Sequence, residues 1–373
     1  MANGLRKDMK AIVLAGGFAT RLRPISYALP KLLFPVLGKP MVYWTLDLLR
    51  ECGVDEVVLA VNYLADSLRA SVGKDYKGIR IKYSLEDKPL GTAGPIKLAS
   101  NSVRMRDTFV AMNGDIIAQI NLTQMRKHHR NSRAAVTDAL HEVHDPSRFG
   151  VVQLDSAGRI ERFVEKPTLK QAPSRMINAG IYMIEPSVLG MIRPGHRVSL
   201  EREIFPLLAK RRRLIGFPFE GYWFDIGSFS DYQRANFALL AEQGPRSIIR
   251  HQASRVAAPS RLVPPLLIGE GSSVEKAAIL GPNALLGKHC LVMKRARIAD
   301  SILFDRVTVG IGSTVSGAIV ASDVSIGDRV KIEPGTVVSS HVQIRDGISI
   351  RRNAIIHPHK EIATDIGSRA HIM

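Results

Sequence analysis

The sequence predicts an α/β chain in two parts: a Rossmann-like domain with a mixed sheet, then a parallel β-helix of hexapeptide repeats. Three observations carry this reading. From residue 10 to about 240, short apolar runs alternate with amphipathic helical stretches, as strands joined by helices do. Beyond residue 262, aliphatic residues recur every six positions and the helical period disappears. Between the two, residues 241–261 lose periodicity. The expected organisation is therefore a first domain over 1–240, a linker over 241–261 and a β-helix over 262–373.

In chain order, strands are expected over 11–14, 57–61, 79–83 and 108–112. A first helix is expected where Met41, Trp44, Leu48 and Cys52 fall at helical spacing, with Gly53 as its stop. After Ala134 apolar runs come faster, with a hairpin-like turn from Asp155 to Gly158 that suggests antiparallel strands extending the sheet. The run Lys210-Arg211-Arg212-Arg213 reads as the solvated end of an apolar helix. In the repeat region Ile268, Val274, Leu280, Leu286, Val292, Ile298 and Phe304 are the expected inward residues. Val309 and Val315 follow, and then, after two one-residue slips in all, Val320, Ile326, Ile332, Val338, Ile344, Ile350 and Ile356. Each such residue is expected to bury against the next coil.

Composition narrows the function classes. With 373 residues and 45% apolar content, two real cores can be buried. The start, MANGLRKDMK, lacks the apolar core of a signal peptide, and no window approaches a membrane span, so a cytoplasmic protein with no membrane partner is expected. Cys52 and Cys290 stand in no metal or redox spacing, and Cys52 is expected in the core at a helix end. The formal charge of +18 invites a nucleic-acid reading, but no such module is present, aromatics are only 6%, and the basic residues are scattered. No specific nucleic-acid partner is expected; the charge suits small anionic substrates.

The chemistry is expected around 11–40. Ala15-Gly16-Gly17 follows the first apolar run, and residues without a Cβ let backbone N–H groups approach an anion. Arg21 and Lys31 add cations downstream. Asn113-Gly114-Asp115 and Trp223-Phe224-Asp225-Ile226-Gly227 bring two aspartates to the ends of expected strands, where open α/β sheets bind ligands. Two carboxylates completed by phosphate oxygens suit Mg²⁺. Taken singly, an Asn-Gly-Asp is more often a turn, and Glu165-Lys166 is more often an exposed pair ending a strand.

The stretch AIVLAGGFATRLRPISYALPKLLFPVLGKP resembles the signature of the sugar nucleotidyltransferases. It departs from their pattern at Ala19, where a second glycine is usual, and at Leu32, where proline is usual. If Ala19 needs positive φ, the alanine costs roughly 1 kcal/mol. Further matches follow in family order: 86–94 (EDKPLGTAG), FGVV at 149–152, FVEKP at 163–167, NAGIY at 178–182 and the WFDIG segment. The resemblance implies transfer of a nucleotidyl group from a nucleoside triphosphate to a sugar 1-phosphate. It implies Arg21, Lys31 and Lys166 as catalytic cations, and Ala15, Gly16, Gly17, Glu86, Gly91 and Asp115 on the nucleotide. Gly150, Glu165, Lys166 and Asn178 would meet the sugar phosphate, and Asp115 and Asp225 would hold Mg²⁺. It also implies a left-handed β-helix that packs against other subunits of a homo-oligomer.

Glu86 bears on the base. Guanine presents two adjacent N–H donors that one carboxylate can accept, whereas uracil and thymine suit the glutamine usual at this place in the thymidylyl and uridylyl members. Pairing with Lys88 or exposure to solvent is the alternative for Glu86. The runs GTAGP, NAGIYMIEPSVL and EREIFPLLA, with the tail His-Pro-His-Lys, are similar to guanylyl-transferring members, which implies GTP and mannose 1-phosphate. A uridylyl- or thymidylyltransferase acting on glucose 1-phosphate, and a non-catalytic paralogue that binds nucleotide sugar, are the competing readings. Acyl transfer by His289, His341, His357 or His359 is a further one.

Overall fold

A computed structural model describes residues 9–373 other than Tyr63. The N-terminal stretch read for a signal peptide lies, as far as residue 8, outside the described residues. The chain divides into two compact units. One takes the chain up to Phe18 together with Met41–Asp225; the other takes Ala19–Pro40 together with Ile226–Met373.

In the first unit the strand Met9–Leu14 lies parallel between Val54–Val61 and Phe109–Asn113, and Ile79–Leu85 continues the parallel half beyond Val54–Val61. On the other side the strand Met176–Ile184 runs antiparallel to Phe109–Asn113. Its first half meets Val151 of Gly150–Leu154, and its far edge pairs with Val136–Glu142. The mixed sheet expected from sequence is thus present, and Gly150–Leu154 and Ile160–Glu165 form the expected hairpin. At its turn Asp155 accepts the Ala157 and Arg159 amides, both at 2.8 Å. The helix Met41–Glu51 does form, but Met41, Val42, Thr45, Leu46 and Leu49 face the core while Trp44 and Leu48 stay half-buried. Of the stripe read from sequence, Met41 and Cys52 are buried while Trp44 and Leu48 lie on its flank, because Val42, Leu46 and Leu49 are also apolar and outcompete the bulky Trp44 for the interior.

In the second unit each inward aliphatic residue pairs with one a coil further on: Ile268 with Leu286, Leu286 with Leu303, Leu303 with Val320, Val320 with Val338, and Val338 with Ile356. Three parallel sheets of short strands form the faces of a left-handed β-helix. Its interior is aliphatic apart from Cys290, each buried Val, Leu or Ile contributing roughly 1.5–3 kcal/mol. The expected inward residue Phe304 is a correction. The first slip falls just before it, so Leu303 fills the interior and Phe304 turns outward. Both are apolar, and a six-residue count cannot tell them apart.

The β-helix also starts earlier than expected. Ile248–Arg250 and Arg255–Val256, inside the stretch read as linker, and Arg261–Leu262, at its end, pair in parallel with the next coil. Only Val256 and Leu262 of this coil pack on the interior, and both are partly exposed, so an end coil leaves little apolar period to read.

The segment Ala19–Pro40 packs within this second unit. Phe34, Tyr232 and Phe304 are fully buried and meet edge to face, with ring centroids 5.7–6.1 Å apart. The Tyr232 hydroxyl donates to the Pro35 carbonyl, and the Leu37 amide donates to Asn236 Oδ1 at 3.0 Å. The rings of Tyr27 and His357 lie 5.9 Å apart.

Candidate functional site

The carboxyl ends of the parallel strands gather most of the expected residues of the first unit. The Ala15 amide donates to the Ala60 carbonyl at 2.7 Å, and Gly114 donates to the Leu14 carbonyl at 2.9 Å, so the glycine turn is tied to both neighbouring strands. The Asn62 side-chain amide donates to the Gly16 carbonyl. Gly17 is exposed, with open space where a side chain would stand.

Glu86 sits against this turn. A Cβ on Gly16 would come 3.8 Å from Glu86 Oε2. The Glu86 amide donates to the Val61 carbonyl at 2.8 Å, and its Oε1 accepts the Leu90 amide at 3.0 Å. The carboxylate is therefore anchored by its own loop rather than by Lys88. Burial pushes its pKa up, against the pull of the Leu90 amide. Gly91, expected beneath a nucleotide, is required by the chain itself: at φ 82° it pairs with Val198, whose carbonyl would stand 2.4 Å from an added Cβ.

Asp115 and Asp225 come together through a small sheet. Trp223–Asp225 runs antiparallel to Ile116–Ala118, with Asp225 opposite Ile116, the residue after Asp115. Asp115 itself lies in the turn immediately before that strand, so the pairing brings the two backbones near one another. Both aspartates are half-buried. A sequence separation of over a hundred residues is thus closed by one register.

The sugar-side candidates cluster in the antiparallel half. Gly150 pairs with Glu165, and a Cβ there would strike the Phe163 ring at 2.5 Å and lie 3.0 Å from Glu165 Oε2. Burial, and next the charge of Glu201, push the Glu165 pKa up, while Lys166 and Arg202 oppose them. Lys166 has left-handed backbone at φ 50°, donates its amide to Phe149 at 2.9 Å and holds its Nζ 3.7 Å from Glu165 Oε1 with the side chain mostly exposed. Asn178 spans a bulge, accepting the Gly180 amide at 2.8 Å and donating to the Tyr182 hydroxyl at 2.9 Å.

Sequence reasoning missed several residues here. Glu201 accepts from Thr92 at 2.6 Å and from Ser199 at 2.7 Å, and its charge reaches Glu165. It lies in the EREIFPLLA run, to which the resemblance assigns no chemistry. The Trp223 indole donates to the Ala179 carbonyl at 3.0 Å, tying the strand of Asp225 to the strand of Asn178. Asp138, wholly buried with neither carboxyl oxygen hydrogen-bonded, gave no signal.

Arg21 and Lys31 are carried by the second unit. Arg21 lies in the short turn Thr20–Leu22, its guanidinium 2.9 Å from where a Cβ of Gly227 would stand. Ala19, before it, takes φ 45° and ψ 39°, the left-handed conformation its usual glycine would adopt freely. Lys31 opens the turn Lys31–Leu33, in which Leu32 is buried.

A family model described as nucleotidyl transferase matches residues 10–242, and one described as GMPPB C-terminal domain matches 262–372. Among curated proteins, mannose-1-phosphate guanylyltransferase 1 of Arabidopsis thaliana is 33% identical over 87% of this chain and 89% of its own length. The mannose-1-phosphate guanyltransferase of Schizosaccharomyces pombe is 33% identical over 88% and 94%. Among solved structures, HddC from Yersinia pseudotuberculosis complexed with GMP-PN superposes with a TM-score of 0.52 at 27% identity, covering 62% of this chain and 99% of that one.

Proposed function

Because the chain belongs to the nucleotidyl transferase family, we propose that it is a mannose-1-phosphate guanylyltransferase, joining GTP and mannose 1-phosphate into GDP-mannose and pyrophosphate. The observation that carries the reaction is the register that sets Asp225 beside the Asn113-Gly114-Asp115 turn. A phosphate oxygen of the sugar phosphate attacks the α-phosphorus, and the bond to the β-phosphate breaks as pyrophosphate leaves. The nucleophile has a second pKa of about 6 and is already ionised, so no general base is needed. What the protein supplies is alignment of two anions and neutralisation of charge.

Two half-buried carboxylates are the donor set a magnesium ion shared with substrate phosphates uses. Asp115 and Asp225 would hold Mg²⁺, which when bound offsets charge on the departing pyrophosphate. In this reading Arg21 and Lys31 serve the triphosphate, Lys166 the sugar phosphate, and Glu165 and Asn178 the sugar. Glu86, its Oε2 facing Gly16, accepts the two N–H donors of guanine. A cytoplasmic setting, and self-association through the β-helix, complete the proposal. Among the described residues both cysteines are free and buried, and no helix is long and apolar enough to cross a membrane.

The test is pyrophosphate release with Mg²⁺ across GTP, UTP, dTTP, ATP and CTP against mannose, glucose and N-acetylglucosamine 1-phosphates. A maximum at GTP with mannose 1-phosphate is expected. A maximum at UTP or dTTP with glucose 1-phosphate would discard the guanine reading, and silence throughout would make the chain a binding paralogue.

A further inference from the structure

At the opposite end of the first unit's sheet from Gly16 and Asp115, a cavity of about 360 Å³ opens. Thr108 stands before the strand Phe109–Asn113, Arg213 before Leu214–Pro218, and Glu185 just after the antiparallel Met176–Ile184, so these amino-terminal strand ends form its floor. Arg130 and Arg133 enter from the end of the helix Leu122–Ser132.

The lining concentrates positive charge on exposed side chains. Three guanidiniums, of Arg130, Arg133 and Arg213, line one cavity, and none of them has an acidic partner among the described residues. The lone lining carboxylate, Glu185, is already engaged: its Oε1 accepts from Thr108 Oγ1 at 2.5 Å and contacts His129 Nε2 at 3.0 Å. His129 is buried, its other ring nitrogen 2.8 Å from Thr137 Oγ1. The floor is thus hydrogen-bonded and polar, and the exposed Ser187 lies at the rim. Guanidinium groups present forked N–H donors matched to phosphoryl oxygens. Each of the three sits on a fixed element: two at a helix end, and one whose backbone carbonyl accepts the Ala135 amide at 2.8 Å.

We propose that this cavity is an anion site that binds a phosphoryl dianion, away from the nucleotide and sugar residues. The shared chemistry is a tetrahedral oxyanion, available as free phosphate, as pyrophosphate, or as the phosphate of a sugar monoester. Arg213 closes the Lys210–Arg213 run, so one member of a segment that reads as plain solvated charge faces a cavity.

The test uses the full chain. Inorganic phosphate, pyrophosphate and a hexose 6-phosphate are titrated by calorimetry against sodium chloride of equal ionic strength, for wild type and for the R130Q/R133Q/R213Q variant. A saturable class of sites in the wild type that weakens at least about tenfold in the variant, with nucleoside triphosphate binding unchanged, is expected. The anion that saturates it at lowest concentration identifies the source. Equal binding by variant and wild type, or no binding beyond chloride, would overturn the proposal. Without any substitution, phenylglyoxal modification of Arg130, Arg133 and Arg213, read by peptide mass, should be slowed by phosphate; unchanged rates would overturn it too. None of these readouts depends on GDP-mannose synthesis, so the site and the proposed reaction stand or fall separately.

Discussion

Replacing Asp138 by asparagine should make the protein more stable, and increasingly so as pH rises. Asp138 is fully buried on the strand Val136–Glu142, facing Tyr182 on one side and Gly216 on the other, and neither carboxyl oxygen has a hydrogen-bond partner. Burial first, and the charge of Glu201 second, hold its pKa well above the usual carboxylate range. The unfolded chain titrates near pH 3.9. The folded state therefore binds the proton more tightly, and the stability that depends on it is complete below about pH 3.9 and is lost as pH climbs toward the folded pKa. The loss is up to roughly 1.4 kcal/mol for each pH unit between the unfolded and the folded pKa, so the advantage of the Asp138→Asn variant should grow steadily as pH rises above about 4. For a unit of this size each kcal/mol corresponds to about 2–4 °C in melting temperature. Paired thermal melts at rising pH measure it. A variant-minus-wild-type difference independent of pH would refute the argument, because an ionised Asp138 tolerated in place has no proton to lose.

Four further outcomes are expected. Asp115→Asn and Asp225→Asn should each lower turnover by at least about a hundredfold while melting near wild type, since the lost charge neutralisation acts in the transition state; near-normal activity in both would dissolve the metal pair. Glu86→Gln should shift the ratio of GTP to UTP turnover by roughly 10–100-fold toward UTP, the cost of leaving buried donors unpaired. Phe304→Ala should cost about 3–5 kcal/mol, seen as a lowered melting temperature, because it opens the Phe34–Tyr232–Phe304 cluster. Ala19→Gly should raise stability by about 0.5 kcal/mol, relief of left-handed strain outweighing the added unfolded-state entropy; denaturant midpoints would detect it.

How much of this was legible beforehand depended on whether a residue's role is local. The hexads were, because the interior of a β-helix admits only aliphatic side chains at a fixed period. The one-residue slip at Leu303 was not, since Phe304 fits the same count and its real neighbours, Phe34 and Tyr232, come from elsewhere in the chain. Asp115 and Asp225 could be named from their motifs, yet only the pairing of Trp223–Asp225 with Ile116–Ala118 brings them together. Asp138 was invisible because a strand buried on both faces shows no alternation, and an aspartate within it reads as a solvent position. Glu201 was passed over because its partners, Thr92 and Ser199, confer meaning only once the loop folds back.

The division of the chain has a consequence for how such proteins can be recombined. The backbone passes from one compact unit to the other after Phe18, again after Pro40 and again after Asp225. A graft that exchanged residues 262–373 alone would set a foreign coil beneath Phe34 and Tyr232 and leave the segment bearing Arg21 and Lys31 on packing it never matched. The portion that can travel intact is discontinuous in the gene, Ala19–Pro40 with everything from Ile226 onward. A cut at a sequence boundary near residue 241 therefore divides a core, and substitutions in the coils should co-vary with substitutions between residues 19 and 40.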